Sequence, residues 1–165
     1  MHYWQLILLL VFSHVSVAQT DSAGLNDDPV FTTVLIRRLK YPRGAEWASV
    51  YGRVFAGFTV SEKGRVEDIS ILNHSTKGMY YGFEPTIIAA LKKLPSLKLQ
   101  YSGRYILPVA FIYVDYRDKT NPHVPSDVLY IDDLAGRTML KEIEIFGSSV
   151  NSKERISSGE RNEFY

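Results

Sequence analysis

Val54, Ala56, Phe58 and Val60 alternate with Arg53, Phe55, Gly57 and Thr59. A period of two predicts a strand over 53–61 with one strongly apolar face. Glu62-Lys63-Gly64 supplies turn chemistry, with glycine able to take positive φ. Val66 to Leu72 then reads as the return strand. Ile69 and Ile71 share a parity that Val66 lacks, and a bulge near Asp68 reconciles them. The most β-prone run in the chain is Tyr105 to Tyr116. Pro108 lies inside it without an N–H to donate, which places it on an open edge, at a bulge, or ahead of the first pairing.

The period lengthens to that of a helix in two places. Asp28-Pro29 pairs an N-cap acceptor with proline at the first helical position. Val30, Phe31, Val34, Leu35 and Leu39 fall on one face of the helix that follows, over 29–39. Arg37, Arg38 and Lys40 put positive charge at its end, where the helix dipole favours it, and Pro42 stops it. Arg43 to Ser49 reads as a short second helix carrying Trp47, and Asn73 to Gly82 as a loop. Glu84-Pro85 opens a further helix with Ile87, Ile88, Leu91 and Leu94 as its apolar stripe, Lys92-Lys93 toward water and Pro95 as its stop. Tyr101-Ser102-Gly103 marks a turn. Together these elements predict an α+β fold: a small three-stranded antiparallel sheet with the Pro85–Leu94 helix packed across one face.

Arg117 begins an extension. Asn121 to Asp127, with Pro122 and Pro125, reads as a linker. Val128 to Ile131 is a short apolar run, and Leu140 to Phe146 alternates Ile143 and Ile145 against Glu142 and Glu144. A turn at Ala135-Gly136 would join these runs as a hairpin, and a helix over Asp133–Phe146 is the competing reading. Beyond Gly147 the chain is rich in Ser, Glu and Arg. At the other end, Leu6 to Val17 is almost wholly apolar, and Ser16-Val17-Ala18 fits a cleavage site before Gln19. An uncleaved inner-membrane anchor is the alternative. From Tyr3 to Ala18 a helix spans roughly 24 Å at 1.5 Å per residue, short for a bilayer core that needs about 20 apolar residues. The expected division is a signal peptide over 1–18, a disordered linker over 19–28, a domain over 29–116, an extension with extra strands over 117–147 and a disordered tail over 148–165.

The 165 residues are 45% hydrophobic and 22% charged, a globular composition able to bury a core. A net charge of +1, with both signs mixed along the chain, gives no electrostatic case for nucleic acid. The chain has no cysteine, hence no disulfide framework and no site for a lipid-modified cysteine after the signal. His74 and His123 are the histidines left after signal removal, and neither is near another good ligand in sequence. No HExxH, GxSxG or P-loop is present, so the residues point to no enzyme, cofactor or metal. Asn73-His74-Ser75 has the pattern of a glycosylation sequon. Of eleven tyrosines, Tyr80, Tyr81, Tyr101, Tyr105, Tyr113 and Tyr116 gather near helix ends and the last strand. Such residues serve interfaces or fill the core and rim of a small domain, and both uses rest on the same physics.

The order of these parts resembles the C-terminal domain of TonB, the periplasmic protein that contacts outer-membrane receptors in Gram-negative bacteria. The residues that carry the resemblance are Tyr41-Pro42, Ala45, Gly52-Arg53-Val54, Phe58-Thr59-Val60, Lys63-Gly64-Arg65-Val66, Ile69 and Ile71. The helix over 83–94 and Leu107-Pro108-Val109 with Phe111 continue it, so that it covers roughly Phe31 to Val114. The resemblance implies a periplasmic, non-enzymatic domain that binds a TonB-dependent outer-membrane receptor in transmembrane transport. It also implies β-strand addition, in which main-chain hydrogen bonds at a sheet edge supply much of the affinity. Carried onto this chain, the partner-binding residues are Arg38, Leu39, Lys40 and Tyr41 before the first strand, and Tyr105, Ile106, Val109, Phe111 and Tyr113 on the last. The seven prolines are scattered and form no spacer, so the implied role is binding rather than energy transduction. Leu140 to Gly147 resembles the alternating segment such receptors offer. It is either a ligand mimic that pairs with this chain's own sheet edge or another copy's, or an ordinary extra strand. The reading from a different class is a secreted α+β ligand-binding or inhibitory module unrelated to transport.

Overall fold

The computed structural model describes residues 24–74, 76–115, 118–134 and 136–148. The expected signal peptide, residues 19–23 of the linker after it, and the tail from 149 onward lie outside the described residues; the other half of that linker is corrected from disordered to ordered, with Leu25 and Asp28 buried. A 3-10 turn over Leu25–Asp27 leads into helix α1, Pro29–Arg38. Asp28 caps α1 as its type predicts: Oδ1 accepts from the N–H groups of Val30 and Phe31, each at 2.9 Å. Phe31, Leu35 and Leu39 are buried, whereas Val30 faces outward at the exposed rim. Helix α2, Arg43–Trp47, follows Pro42 and leaves Trp47 exposed.

Strand β1, Gly52–Val60, pairs antiparallel with β2, Val66–Ile71, through the turn at Gly64, where φ is +74°. The register slips between Gly57↔Ser70 and Thr59↔Glu67, and Asp68 takes a positive φ of 51°. The bulge expected near Asp68 is therefore present, and it restores Ile69 and Ile71 to the sheet's apolar side. The segment after β2, read from sequence as a loop, contains helix α3, Thr76–Tyr80. Helix α4, Phe83–Lys92, then crosses the sheet and buries Phe83, Ile87, Ala90 and Leu91. After a 3-10 turn over Leu99–Tyr101 comes β3, Gly103–Asp115, the long central strand. It pairs antiparallel with β1 along its first nine residues, from Gly103↔Val60 to Phe111↔Gly52.

The fold is mixed α+β as expected, but the sheet has six strands, not three. The extension supplies the rest. Strand β4, Asp118–His123, returns antiparallel on the far end of β3, so the stretch read as a linker is partly strand. Residues 124–130 and a 3-10 turn over Ile131–Leu134 lead to β5, Thr138–Met139, and β6, Ile143–Ser148. Both of these strands lie parallel to β3. The expected hairpin between Val128–Ile131 and Leu140–Phe146 does not form, and neither does the competing helix over Asp133–Phe146. A parallel neighbour cannot be reached by a tight turn, so the chain crosses from one edge of β3 to the other.

That crossing covers the face of the sheet opposite the helices. Asp127 meets Arg53 near the start of β1, with Oδ2 accepting from the Arg53 N–H at 2.9 Å. Farther along, the Arg137 guanidinium lies so close over Gly57 that a Cβ there would come within 2.7 Å of Nη1. Beneath this strap Phe55, Ile106, Ala110 and Ile112 form a second buried layer. The main core lies on the other face, between β1, β3 and helices α1 and α4, and includes Phe31, Phe58, Phe83, Leu91 and Phe111. Burial of each such side chain contributes roughly 1.5–3 kcal/mol.

Candidate functional site

Strand β3 has two long edges, and both are taken. At Tyr113 the partner on one side is His123 of β4 and on the other Gly147 of β6. Since Phe111 pairs with Gly52 as well as Ile145, β1 and β4 share one edge while β5 and β6 share the other. The β6 pairing runs without a break from Val109↔Ile143 to Val114↔Ser148.

Pro108 divides this second edge. It stands opposite Phe55, whose N–H bonds Asn73 Oδ1 at 2.7 Å and whose carbonyl accepts from Leu72 N–H at 2.9 Å. Phe55 thus turns its polar groups away from β3, and antiparallel geometry makes Pro108 turn its own toward the junction of β5 and β6. The pairing slips at that point. Between Ile106↔Met139 and Val109↔Ile143, Leu107 and Pro108 face Leu140, Lys141 and Glu142, one residue more. Proline cannot donate there, and the bulge absorbs the missing bond. Lys141 N–H turns instead to Asn26 Oδ1 at 2.8 Å, while Leu140 N–H still reaches the Ile106 carbonyl at 2.8 Å.

Side chains fasten β6 at both ends. Arg53 on β1 lies opposite Ala110, and its guanidinium reaches past that small residue to the Glu142 carboxylate just ahead of β6. The same guanidinium donates through Nη1 to the Asp127 carbonyl at 3.0 Å, so one residue ties strap, sheet and β6 together. At the other end Gly147 lies against the Tyr41 ring. Tyr41 is edge-on to Phe83 and Phe111, and its hydroxyl donates to the Val50 carbonyl at 2.6 Å. Burial, then the charges of Glu46 and Tyr113, hold its phenol well above the ordinary range.

The residues expected to bind a partner separate into two groups. Ile106, Val109 and Phe111 have no exposed surface and Tyr113 is 4% exposed, so their side chains are core rather than contact surface. Tyr105 is half-buried, stacked on Phe58, with its hydroxyl donating to the Tyr101 carbonyl at 2.8 Å. Burial, followed by Tyr101, raises its pKa. The β3 edge implied for strand addition is occupied by β5 and β6, whose pairing with it is parallel. In the other group Leu39 is buried, but Arg38 and Lys40 are exposed and line a cleft with Tyr41.

Asn73, expected to open a loop and to form part of a sequon, continues the sheet where β2 ends. Its Nδ2 donates to the Arg53 carbonyl at 2.8 Å while Oδ1 holds the Phe55 N–H. The roles of Arg53, Asp127 and Glu142 had no sequence signal, because their partners lie 74 and 89 residues away. His74 Nδ1 lies 2.9 Å from the buried Glu84 carboxylate, and His123 stacks on Tyr51. Among the described residues no group of three His, Cys, Asp or Glu is placed to hold a metal, and no helix is long and apolar enough to cross a membrane. No family model, curated protein or solved structure matches the chain.

Proposed function

We propose that this chain is a TonB-like, non-enzymatic periplasmic binding module that takes up an extended segment of an outer-membrane receptor as a strand along β3. In this reading β6 holds the receptor's place until the receptor displaces it. The observation that supports it most is the parallel pairing of Ile143–Ser148 with Val109–Val114. An edge that accepts one alternating segment through main-chain bonds has the hydrogen-bonding pattern to accept another. β6 itself is a shallow occupant: Glu144 and Phe146 are exposed, and Ile143 and Ile145 are half-buried. Besides its main-chain bonds, β6 is retained by Ile143 and Ile145 against the core, by the Tyr41 ring and by Arg53.

The test is affinity capture from outer-membrane extracts with the full chain and with a Gly147→Val variant. Enrichment of β-barrel receptors, stronger on the variant, is the expected result. Absence of such receptors from both would overturn the reading in favour of a secreted α+β ligand-binding or inhibitory module.

A further inference from the structure

We propose that the strand this edge selects is one followed by acidic residues, seated in a basic cleft beside Tyr41; this rests on the strand-addition reading above. The cleft has a volume of about 520 Å³. Arg37, Arg38 and Lys40 line it from the end of α1, and Lys93 from the end of α4. Among the described residues no acidic side chain lines it. None of the four cations is in an ion pair among the described residues.

Helix dipoles do not account for this concentration of charge. Cations at a helix C-terminus answer a partial charge of about half an electron. Two such ends offset roughly one positive charge, against four here, in a chain whose net charge is only +1. The site therefore fits a ligand with several negative charges.

The position of Tyr41 says where that ligand comes from. Its ring packs against Gly147 at the C-terminal end of β6, and the same residue is among those lining the cleft. Phe31, Thr32 and Ile36 of α1 share a groove with residues 141–144 at the start of β6, and the basic end of α1 lies at Tyr41. A strand parallel to β3 thus leaves the sheet where the cations gather, and its C-terminal flank is the part that meets them. The chain's own flank is poorly matched. Ser149-Val150-Asn151-Ser152 carries no charge, Lys153 follows, and the first acid is Glu154. An outside strand with an acidic flank offers the cations charges that Ser149–Ser152 lack, which gives the exchange its direction.

The test uses the full chain and three fluorescent peptides in anisotropy titrations. Each has the sequence of residues 140–148, continued by Ser149–Ser152, by aspartates, or by lysines. Exposed ion pairs are individually weak, so several together should favour the aspartate flank over the native flank by about ten-fold. Added salt should shrink the preference, and the K40E/K93E double variant should abolish it. Equal affinity for all three peptides, or a preference that survives the charge reversal, would overturn the inference while leaving strand addition intact. The same titrations on the Gly147→Val chain cover the case in which β6 is held too firmly to exchange. Absence of binding by every peptide to both chains would overturn strand addition, and this inference with it.

Discussion

Gly147 packs face-on against Tyr41: a Cβ at the glycine would lie 2.5 Å from two carbons of the ring. Tyr41 cannot retreat, since Phe83 and Phe111 hold it edge-on and its hydroxyl is bonded to Val50. Gly147→Val should therefore release β6 and leave the main core between β1, β3, α1 and α4 standing. Forcing a side chain into a packed site costs about 1–3 kcal/mol, enough to detach a shallow strand. Amide exchange should accelerate at Ile143, Ile145 and residue 147 and at Ala110 and Ile112, with the β1–β3 ladder still protected. Unchanged exchange at those amides would contradict this.

Asn73 stands in for a missing stretch of strand. Asn73→Ala leaves the Phe55 N–H and the Arg53 carbonyl without their partners. Unmet buried polar groups cost about 1–3 kcal/mol, so the urea midpoint should fall with little change in slope. Asn73→Asp keeps the acceptor and loses the donor, and its loss should be smaller.

The cap at Asp28 is a second local test. Asp28→Ala should cost about 0.5–2 kcal/mol, while Asp28→Asn should lie near wild type. Equal losses in the two variants would mean that charge, through Lys98 Nζ at 3.9 Å, matters more than the cap.

Tyr41 sets a pH limit. Its phenol is held above the ordinary value of 10.0 in the folded chain. In the unfolded chain it ionises near 10. The folded state keeps its proton more tightly, so the contribution to stability is complete below pH 10 and is lost as pH rises beyond it. Thermal unfolding above pH 10 should show a steeper decline for wild type than for Tyr41→Phe. Parallel curves would remove Tyr41 as the cause.

Local structure was legible where the determinants are local. The Asp28 cap, the Gly64 turn and the Asp68 bulge all follow from residues within a few positions of one another. The role of Pro108 was legible only as three alternatives, because choosing among them needs the strand beside it. For β6 the sequence offered a strand, with the chain's own sheet edge as one alternative partner, but alternation at Ile143 and Ile145 does not give the direction, and the two residues of β5 are too few to show a period. Of the cleft, Arg37, Arg38 and Lys40 stood out in sequence, while Lys93 did not, since only the packing of α4 beside α1 brings it there. Arg53 was read as a residue on the less apolar face of a strand, and nothing nearby marked it as the link to Asp127 and Glu142.

The bulge at Pro108 separates two lengths of one edge, with β5 on one side and β6 on the other. Release of β6 therefore need not release the chain, for β5, Leu140 and the strap through Asp127 keep their own bonds. A displaced β6 stays on a short leash beside the site it left. Short flexible tethers give local concentrations on the order of millimolar. Any visiting strand must outcompete a rival present at that concentration, and on its departure the edge closes again without meeting a second molecule. Under the proposed strand exchange, the break in pairing would set a threshold of affinity for visitors and make occupation of the edge reversible.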